Sequence, residues 1–315
     1  MFSRLGKDAD AWMPFQFAHS IPQETTTSFV RRCIKHGVGL FRIAHAFSKS
    51  DYKTIIIPVT CYGFLTSSRI PGVETIIHLL AWIWLFLLQF CAANQMYSME
   101  EDSTNKPYRP IPSGLITVES THTLRWALVP ICLYLSWIYG VLYAGISLTL
   151  AFVFYNEFGL DSYWYSKSLL NAIGIVSWNI GAACIASEGQ QDLLVRYRAA
   201  PVISVALIWT TIHVQDFRDE AGDRMQGRIT LPTFLPVASR YLTLCLLTAW
   251  SIGLGLFWQL ERTAMTFFVI FGVYLSLRIF WQRSEAEDKV SLRLYMLWLS
   301  LAQTLPFITH WIQAF

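Results

Sequence analysis

Two acidic clusters hold most of the chemistry this chain can offer. The first runs from Asn94 through Glu100-Glu101-Asp102 to Lys106 and Arg109, with Pro107, Pro110 and Pro112 stiffening its cationic part. The second is Asp216-Phe217-Arg218-Asp219-Glu220-Ala221-Gly222-Asp223-Arg224, followed by Arg228. On a continuous helix, Asn94, Ser98, Glu101 and Asp102 fall within an arc of about 100°, and Asp216, Asp219 and Asp223 within about 60°. Each cluster can therefore turn several oxygens toward one point. Hard oxygens suit Mg2+, which keeps some waters and takes a few carboxylates together with substrate phosphates. The expected metal set is Asn94, Glu101, Asp102, Asp216, Asp219 and Asp223, with the last three also the expected catalytic residues. Lys106, Arg109, Arg224 and Arg228 are the expected diphosphate-binding residues, because Arg grips phosphate oxygens bidentately and Lys adds a point charge. They would stabilise the charge that grows on a departing diphosphate. One acidic loop beside an apolar helix reads as a solvated surface. Two such loops, each with adjacent cations, read as a site.

The elements that must position these residues are apolar helices. The 315 residues are 54% hydrophobic, 15% aromatic and 14% charged, whereas soluble domains carry roughly 25% charged residues. Uncharged runs such as Thr75–Met99, Ser168–Ser187 and Tyr241–Leu260 match the roughly 20 residues that a bilayer crossing needs. Trp126–Asn156 suits two shorter helices with a turn near Gly140. The pattern predicts an all-α integral membrane protein of about nine transmembrane helices. Residues 1–53 read as a cytosolic N-terminal segment and residues 54–315 as the transmembrane domain. With a cytosolic N-terminus, all of the 24 Lys and Arg residues except Arg69, Arg196, Arg198 and Arg262 fall on the cytosolic side, as the positive-inside rule requires. That orientation puts both acidic clusters on the cytosolic face.

Residues Phe29–Phe47 alternate apolar and basic groups and suit an interfacial helix on an anionic leaflet, or a basic tail that fixes orientation. The N-terminal residues lack the apolar core of a signal peptide, which makes the endoplasmic reticulum the default membrane. The six cysteines are scattered without a CxxC spacing and read as small apolar residues. A lipid bilayer is the expected surrounding, with no nucleic acid and no obligate protein partner.

At the two clusters the chain resembles the UbiA superfamily of intramembrane prenyltransferases. The anchors are Asn94 through Gly114, ending Arg109-Pro110-Ile111-Pro112-Ser113-Gly114, and Gln215 through Pro232, with Gly222-Asp223 and Gly227-Arg228-Ile229-Thr230-Leu231-Pro232. The resemblance implies nine transmembrane helices around a central cavity, a UbiA-like fold, with two Asp-rich motifs holding Mg2+ and an isoprenyl diphosphate. The family's usual first motif, Asn-Asp-x-x-Asp-x-x-x-Asp, is altered here. Gln95 and Ser98 stand at two aspartate positions, while Asn94 and Asp102 remain and Glu101 offers a replacement oxygen. The second motif is intact. The altered motif beside Asn105-Lys106-Pro107-Tyr108-Arg109-Pro110 is similar to the fungal membrane-bound terpene cyclases of this superfamily. Ser50-Asp51-Tyr52-Lys53-Thr54 adds to that resemblance, with Lys53 a further candidate for the diphosphate. It implies Mg2+-dependent cyclisation of farnesyl diphosphate to a sesquiterpene, a step of secondary metabolism. The alternatives are prenyl transfer to an aromatic acceptor and a non-catalytic scaffold or transporter. Phe90, Tyr97, Trp178, Trp209 and Phe217 are candidates for stabilising a carbocation. His213, three residues before Asp216, offers a base for prenyl transfer or, as the favoured reading, a structural residue.

Overall fold

A computed structural model describes residues 39–189 and 192–314. No strand occurs among the described residues, and residues 43–315 form one compact unit. A π-helical turn, Tyr52–Ile56, leads into α1 (Ile57–Thr66). There follow α2 (Val73–Tyr97), α3 (Met99–Asn105), α4 (Val118–Ile138) and α5 (Leu142–Phe152), which runs on into a second π-helical turn, Val153–Glu157. The remainder is α6 (Trp164–Ala186), α7 (Ala199–Thr211), α8 (Asp216–Met225), α9 (Ala238–Phe257), α10 (Arg262–Trp281) and α11 (Glu285–Ala314). Ten residues of the expected interfacial helix Phe29–Phe47, 29–38, lie outside the described residues.

Helix ends follow local chemistry. Gly72 opens α2 in an extended conformation, with Glu74 in the first turn against the helix dipole. The Thr117 hydroxyl accepts the Ser120 amide at 3.2 Å to start α4. The Glu261 carboxylate accepts the Thr263 and Ala264 amides to start α10. The turn expected near Gly140 is present: Gly140 takes φ 68° between α4 and α5. Gln259, at φ 51°, occupies the same left-handed position between α9 and α10.

By length and composition, α2, α6, α9 and α10 suffice to cross a bilayer. The other expected spans fall on helices that are shorter or carry charge. Large apolar side chains cover much of the outside, among them Ile77, Trp137, Tyr143, Phe267 and Ile270.

Beside a small cluster around Tyr62 and Phe307, packing gathers the helices into two large apolar cores. One is built on Leu79, Trp82, Phe86, Cys132 and Leu148 from α2, α4 and α5, and the other on Leu207, Leu247, Leu275, Tyr295 and Trp298 from α7, α9, α10 and α11. α6 joins them, giving Trp178 and Ala182 to the first and Ala172 and Val176 to the second. Each core contains an indole–hydroxyl lock. Trp82 Nε1 donates to Ser136 Oγ at 2.9 Å, and Trp298 Nε1 donates to Ser251 Oγ at 3.0 Å. A neighbouring helix crosses each serine at a glycine, Gly145 or Gly272, where a Cβ would overlap the hydroxyl.

Candidate active site

A cavity of about 460 Å³ draws its walls from both cores. Its floor is apolar and aromatic. Phe90, Phe152 and Trp178 form a chain of tilted rings with centroids 5.1 and 5.4 Å apart. Its mouth is charged and carries the two acidic segments. Both π-helical turns contribute to the wall, through Thr54, Ile55 and Tyr155, and such turns recur at functional sites.

The first segment is not one continuous helix. α2 stops at Tyr97, Ser98 takes φ −105°, and α3 restarts at Met99. The continuous helix expected for Asn94, Ser98, Glu101 and Asp102 is thus interrupted, yet all four line the cavity. Asp102 is fully buried; its Oδ2 accepts Arg109 Nη1 at 2.5 Å and Ser98 Oγ at 3.3 Å. Lys106 Nζ stands 3.9 Å from its other oxygen. Glu101 turns toward the second segment, where its Oε2 accepts Gln226 Nε2 at 2.9 Å. Gly222 permits this approach, because a Cβ there would stand 3.3 Å from Glu101 Oε1.

In the second segment α8 persists as expected, and Asp219 and Asp223 line the cavity. Asp216 does not. It is buried behind Lys167, whose Nζ donates to Asp216 Oδ1 at 2.6 Å while lining the cavity. Burial pushes the Asp216 carboxyl up to about 6, against the pull of Lys167. Gly227, at φ 67°, folds the chain back so that the Arg228 amide reaches the Asp223 carbonyl at 2.9 Å. Ile229 then pairs with the segment before α6: its amide reaches Ser162 O and its carbonyl accepts the Trp164 amide, both at 2.8 Å. This bridge carries Asp161 to the mouth. Arg228 thus stands 3.5 Å from Glu101, Asp161 and Asp223. Burial works against its charge, but the three carboxylates hold its pKa above the ordinary arginine value. Burial likewise raises Asp161, against the opposing pull of Arg228.

Of the expected site residues, Asn94, Glu101, Asp102, Lys106, Arg109, Asp219, Asp223 and Arg228 share the cavity. Arg224 stands apart. One residue beyond Asp223 on a helix is 100° around the axis, and Arg224 pairs with Glu220 at 2.8 Å on the exposed face. Lys53 is also outside the wall and exposed, whereas Ser50, Asp51 and Thr54 line it. Of the aromatic candidates, Phe90 and Trp178 line the cavity. Tyr97 and Trp209 are exposed, and Phe217 packs under Arg240, 3.9 Å from the guanidinium to the ring centre. His213 Nε2 bonds the Thr243 hydroxyl at 2.8 Å inside the protein.

Sequence reasoning missed Lys167, Asp161, Asp51 and Lys289, all of which line the cavity. Lys167 had a signal, since a lone cation at the start of an apolar helix is costly without a partner. Asp161 had none, because only the bridge to Ile229 brings it near.

A divalent cation fits this donor set. Asp102 Oδ1 and Asp223 Oδ2 are buried acceptors with no hydrogen-bond donor among the described residues, a costly state that a bound cation would relieve. Among the described residues no three Asp, Glu, His or Cys side chains already stand together as an ion site. The carboxylates are instead held by the site's own cations.

Comparison with known proteins follows the same lines. Residues 55–301 match the UbiA prenyltransferase family. The chain is 32% identical over 275 residues to a fumagillin beta-trans-bergamotene synthase of Aspergillus fumigatus, covering 85% of this chain and 93% of that one. It is 28% identical over 299 residues to a somaliensene A/B synthase of Streptomyces somaliensis, covering 88% and 96%. In structure it resembles a UbiA homologue from Archaeoglobus fulgidus bound to GPP and Mg2+, with a TM-score of 0.60, 14% identity and coverage of 85% and 99%. The protein is a member of the UbiA prenyltransferase family.

Proposed function

We propose that this protein is a membrane-bound terpene cyclase that ionises farnesyl diphosphate with the help of Mg2+ and closes the freed farnesyl chain into a sesquiterpene. The observation that carries this reading is the continuity of the cavity. A mouth of paired carboxylates and cations passes directly into a floor of Phe90, Phe152 and Trp178. Its volume lies within the roughly 300–1,000 Å³ of small-molecule sites. Similarity to two terpene synthases over nearly their whole lengths supports the same reading.

In this account all nine expected helices cross the membrane, the mouth faces the cytosol, and the endoplasmic reticulum is the host membrane. Asn94, Glu101, Asp102, Asp219 and Asp223 would hold the metal from the cavity wall, with Asp216 behind them. A bound divalent ion supplies Lewis-acid charge to the diphosphate. Lys106, Arg109 and Arg228 turn from their carboxylates toward the phosphate oxygens and stabilise the charge arriving there. Lys167 stays with Asp216 and presents a fixed cation at the same wall. The allylic carbon–oxygen bond breaks, and its electron pair leaves with diphosphate. A double bond of the farnesyl tail then attacks the allylic cation, and loss of a proton gives the neutral product. The ring faces lend about 0.5–2 kcal/mol each to migrating positive charge, and the apolar floor keeps out the water that would quench it.

Prenyl transfer is the second reading. A groove of about 710 Å³ lies beside the mouth, lined by Met96, Tyr97, Met99, Gly222 and Met225, and shares Glu101 with the cavity. It offers room for an acceptor. Incubation of the membrane-embedded protein with farnesyl diphosphate and Mg2+, with no acceptor, followed by gas chromatography–mass spectrometry, separates the two. A cyclic product that vanishes with EDTA supports the cyclase. Consumption only after an aromatic acceptor is added supports the transferase and refutes the proposal.

A further inference from the structure

Most carboxylates in the cavity wall already have a cation. Asp102 has Arg109 at 2.5 Å. Glu101, Asp161 and Asp223 share Arg228 at 3.5 Å. Asp219 has Arg218 at 3.1 Å. Asp51 differs. It lines the same cavity, yet among the described residues no Lys, Arg or His forms an ion pair with it. Its carboxylate accepts only the Ser50 hydroxyl at 2.7 Å and a long contact from Cys91 Sγ at 3.7 Å, both on Oδ2. Oδ1 faces no protein donor among the described residues.

The wall that carries this oxygen carries other hard oxygens too. Cys91 places Asp51 against α2 three residues before Asn94, about 4.5 Å along the axis and on the same face. The Asn94 amide lines the cavity too. Asp102 follows on α3, with its Oδ1 buried and without a donor among the described residues. Asp51 therefore brings a carboxylate that has no ion-pair partner among the described residues to the cavity wall that also holds Asn94 and Asp102. Two carboxylates plus an amide oxygen and substrate phosphate are the ligand types that Mg2+ takes.

We propose that Asp51 is a metal ligand, completing with Asn94 and Asp102 the oxygen set on the α2–α3 side of the mouth. The inference rests on the metal-dependent reading above and adds to it a ligand from outside both acidic clusters. The helical lead into α1 would then be part of the site and not only its wall.

The test uses the purified full-length protein in detergent with Mn2+ as the probe and inorganic pyrophosphate present, free Mn2+ being read by electron paramagnetic resonance. Asp51→Asn keeps the shape and the Ser50 contact but removes the charge. Loss of a ligand should weaken Mn2+ binding by about tenfold or more. Asp51→Glu should restore most of the affinity. Thermal unfolding controls for structure, and Asp51→Ser repeats the titration should Asp51→Asn not fold. If Asp51→Asn binds Mn2+ as the wild type does, the proposal is overturned, even where product formation falls, and Asp51 then has another role such as proton acceptor. That result leaves the cyclase reading standing. A wild-type protein that binds no Mn2+ overturns both.

Discussion

The ion pair between Arg240 and Asp288 should be the most consequential contact outside the cavity. It joins the first turns of α9 and α11 bidentately, at 2.7 and 2.8 Å, with side chains only 6% and 3% exposed. Arg240 Nη1 also donates to the Ile279 carbonyl at 2.8 Å, closing the end of α10 into the same knot. The ring of Phe217, from the second acidic segment, rests against the guanidinium. Arg240→Met keeps much of the volume but strands Asp288 as a buried charge. Two unit charges at 4 Å attract by about 4 kcal/mol at an effective dielectric of 20. Breaking a buried pair by removing one partner costs roughly 3–5 kcal/mol. At about 2 °C per kcal/mol for a large chain, the unfolding midpoint should fall on the order of 5–10 °C. Asp288→Leu should cost a similar amount. The double variant leaves no stranded charge and should be more stable than the sum of the singles by about 2 kcal/mol or more. Thermal unfolding of the four proteins in one detergent is the assay. Single variants within 2 °C of the wild type, or a double variant as unstable as the sum, would refute the reasoning.

Three further outcomes follow from the same structure. Asp219→Ala should lower turnover by about 100-fold or more while leaving the unfolding midpoint unchanged, because the side chain is 43% exposed and paired only with its neighbour Arg218; near-normal turnover in purified protein would remove Asp219 from the metal set. Gln259→Gly should raise the midpoint by a degree or two, since glycine relieves roughly 1 kcal/mol of left-handed strain at an exposed turn. Gly272→Ala should cost about 1–3 kcal/mol by displacing Ser251 from the Trp298 indole, whereas Gly253→Ala, with open space around it, should not; equal midpoints for the two alanine variants would contradict the packing described for α9 and α10.

What the sequence reveals of this protein follows the range of the forces involved. The apolar runs of α2, α6, α9 and α10 are visible because crossing a bilayer sets both length and composition. Asp219 and Asp223 are visible because a short helix fixes their spacing. In the first segment Ser98 breaks the helix and Glu101 reaches Gln226, yet Asn94, Ser98, Glu101 and Asp102 still share the cavity. Arg224 misleads because adjacency in sequence is a quarter turn on a helix. Asp161, Lys167 and Asp51 come to the mouth from three other elements. Their approach depends on the Tyr163–Ile229 bridge, on the burial of Asp216 and on the packing of Asp51 against Cys91, none of which leaves a periodic trace. The ring cluster at the floor is legible in part: Phe90 and Trp178 are among the five aromatic residues expected from the sequence, but aromatic residues are common in all these helices, and only packing adds Phe152 and sets Tyr97, Trp209 and Phe217 aside.

The central claim is that the diphosphate leaves without a second substrate. Its most direct test is pyrophosphate release from farnesyl diphosphate by purified protein with Mg2+ and no acceptor, compared with farnesyl diphosphate consumed. The account predicts one pyrophosphate for each farnesyl diphosphate lost, matched by a cyclic product and abolished in Asp219→Ala. Absence of release from folded, Mg2+-loaded protein until an acceptor is supplied would contradict it.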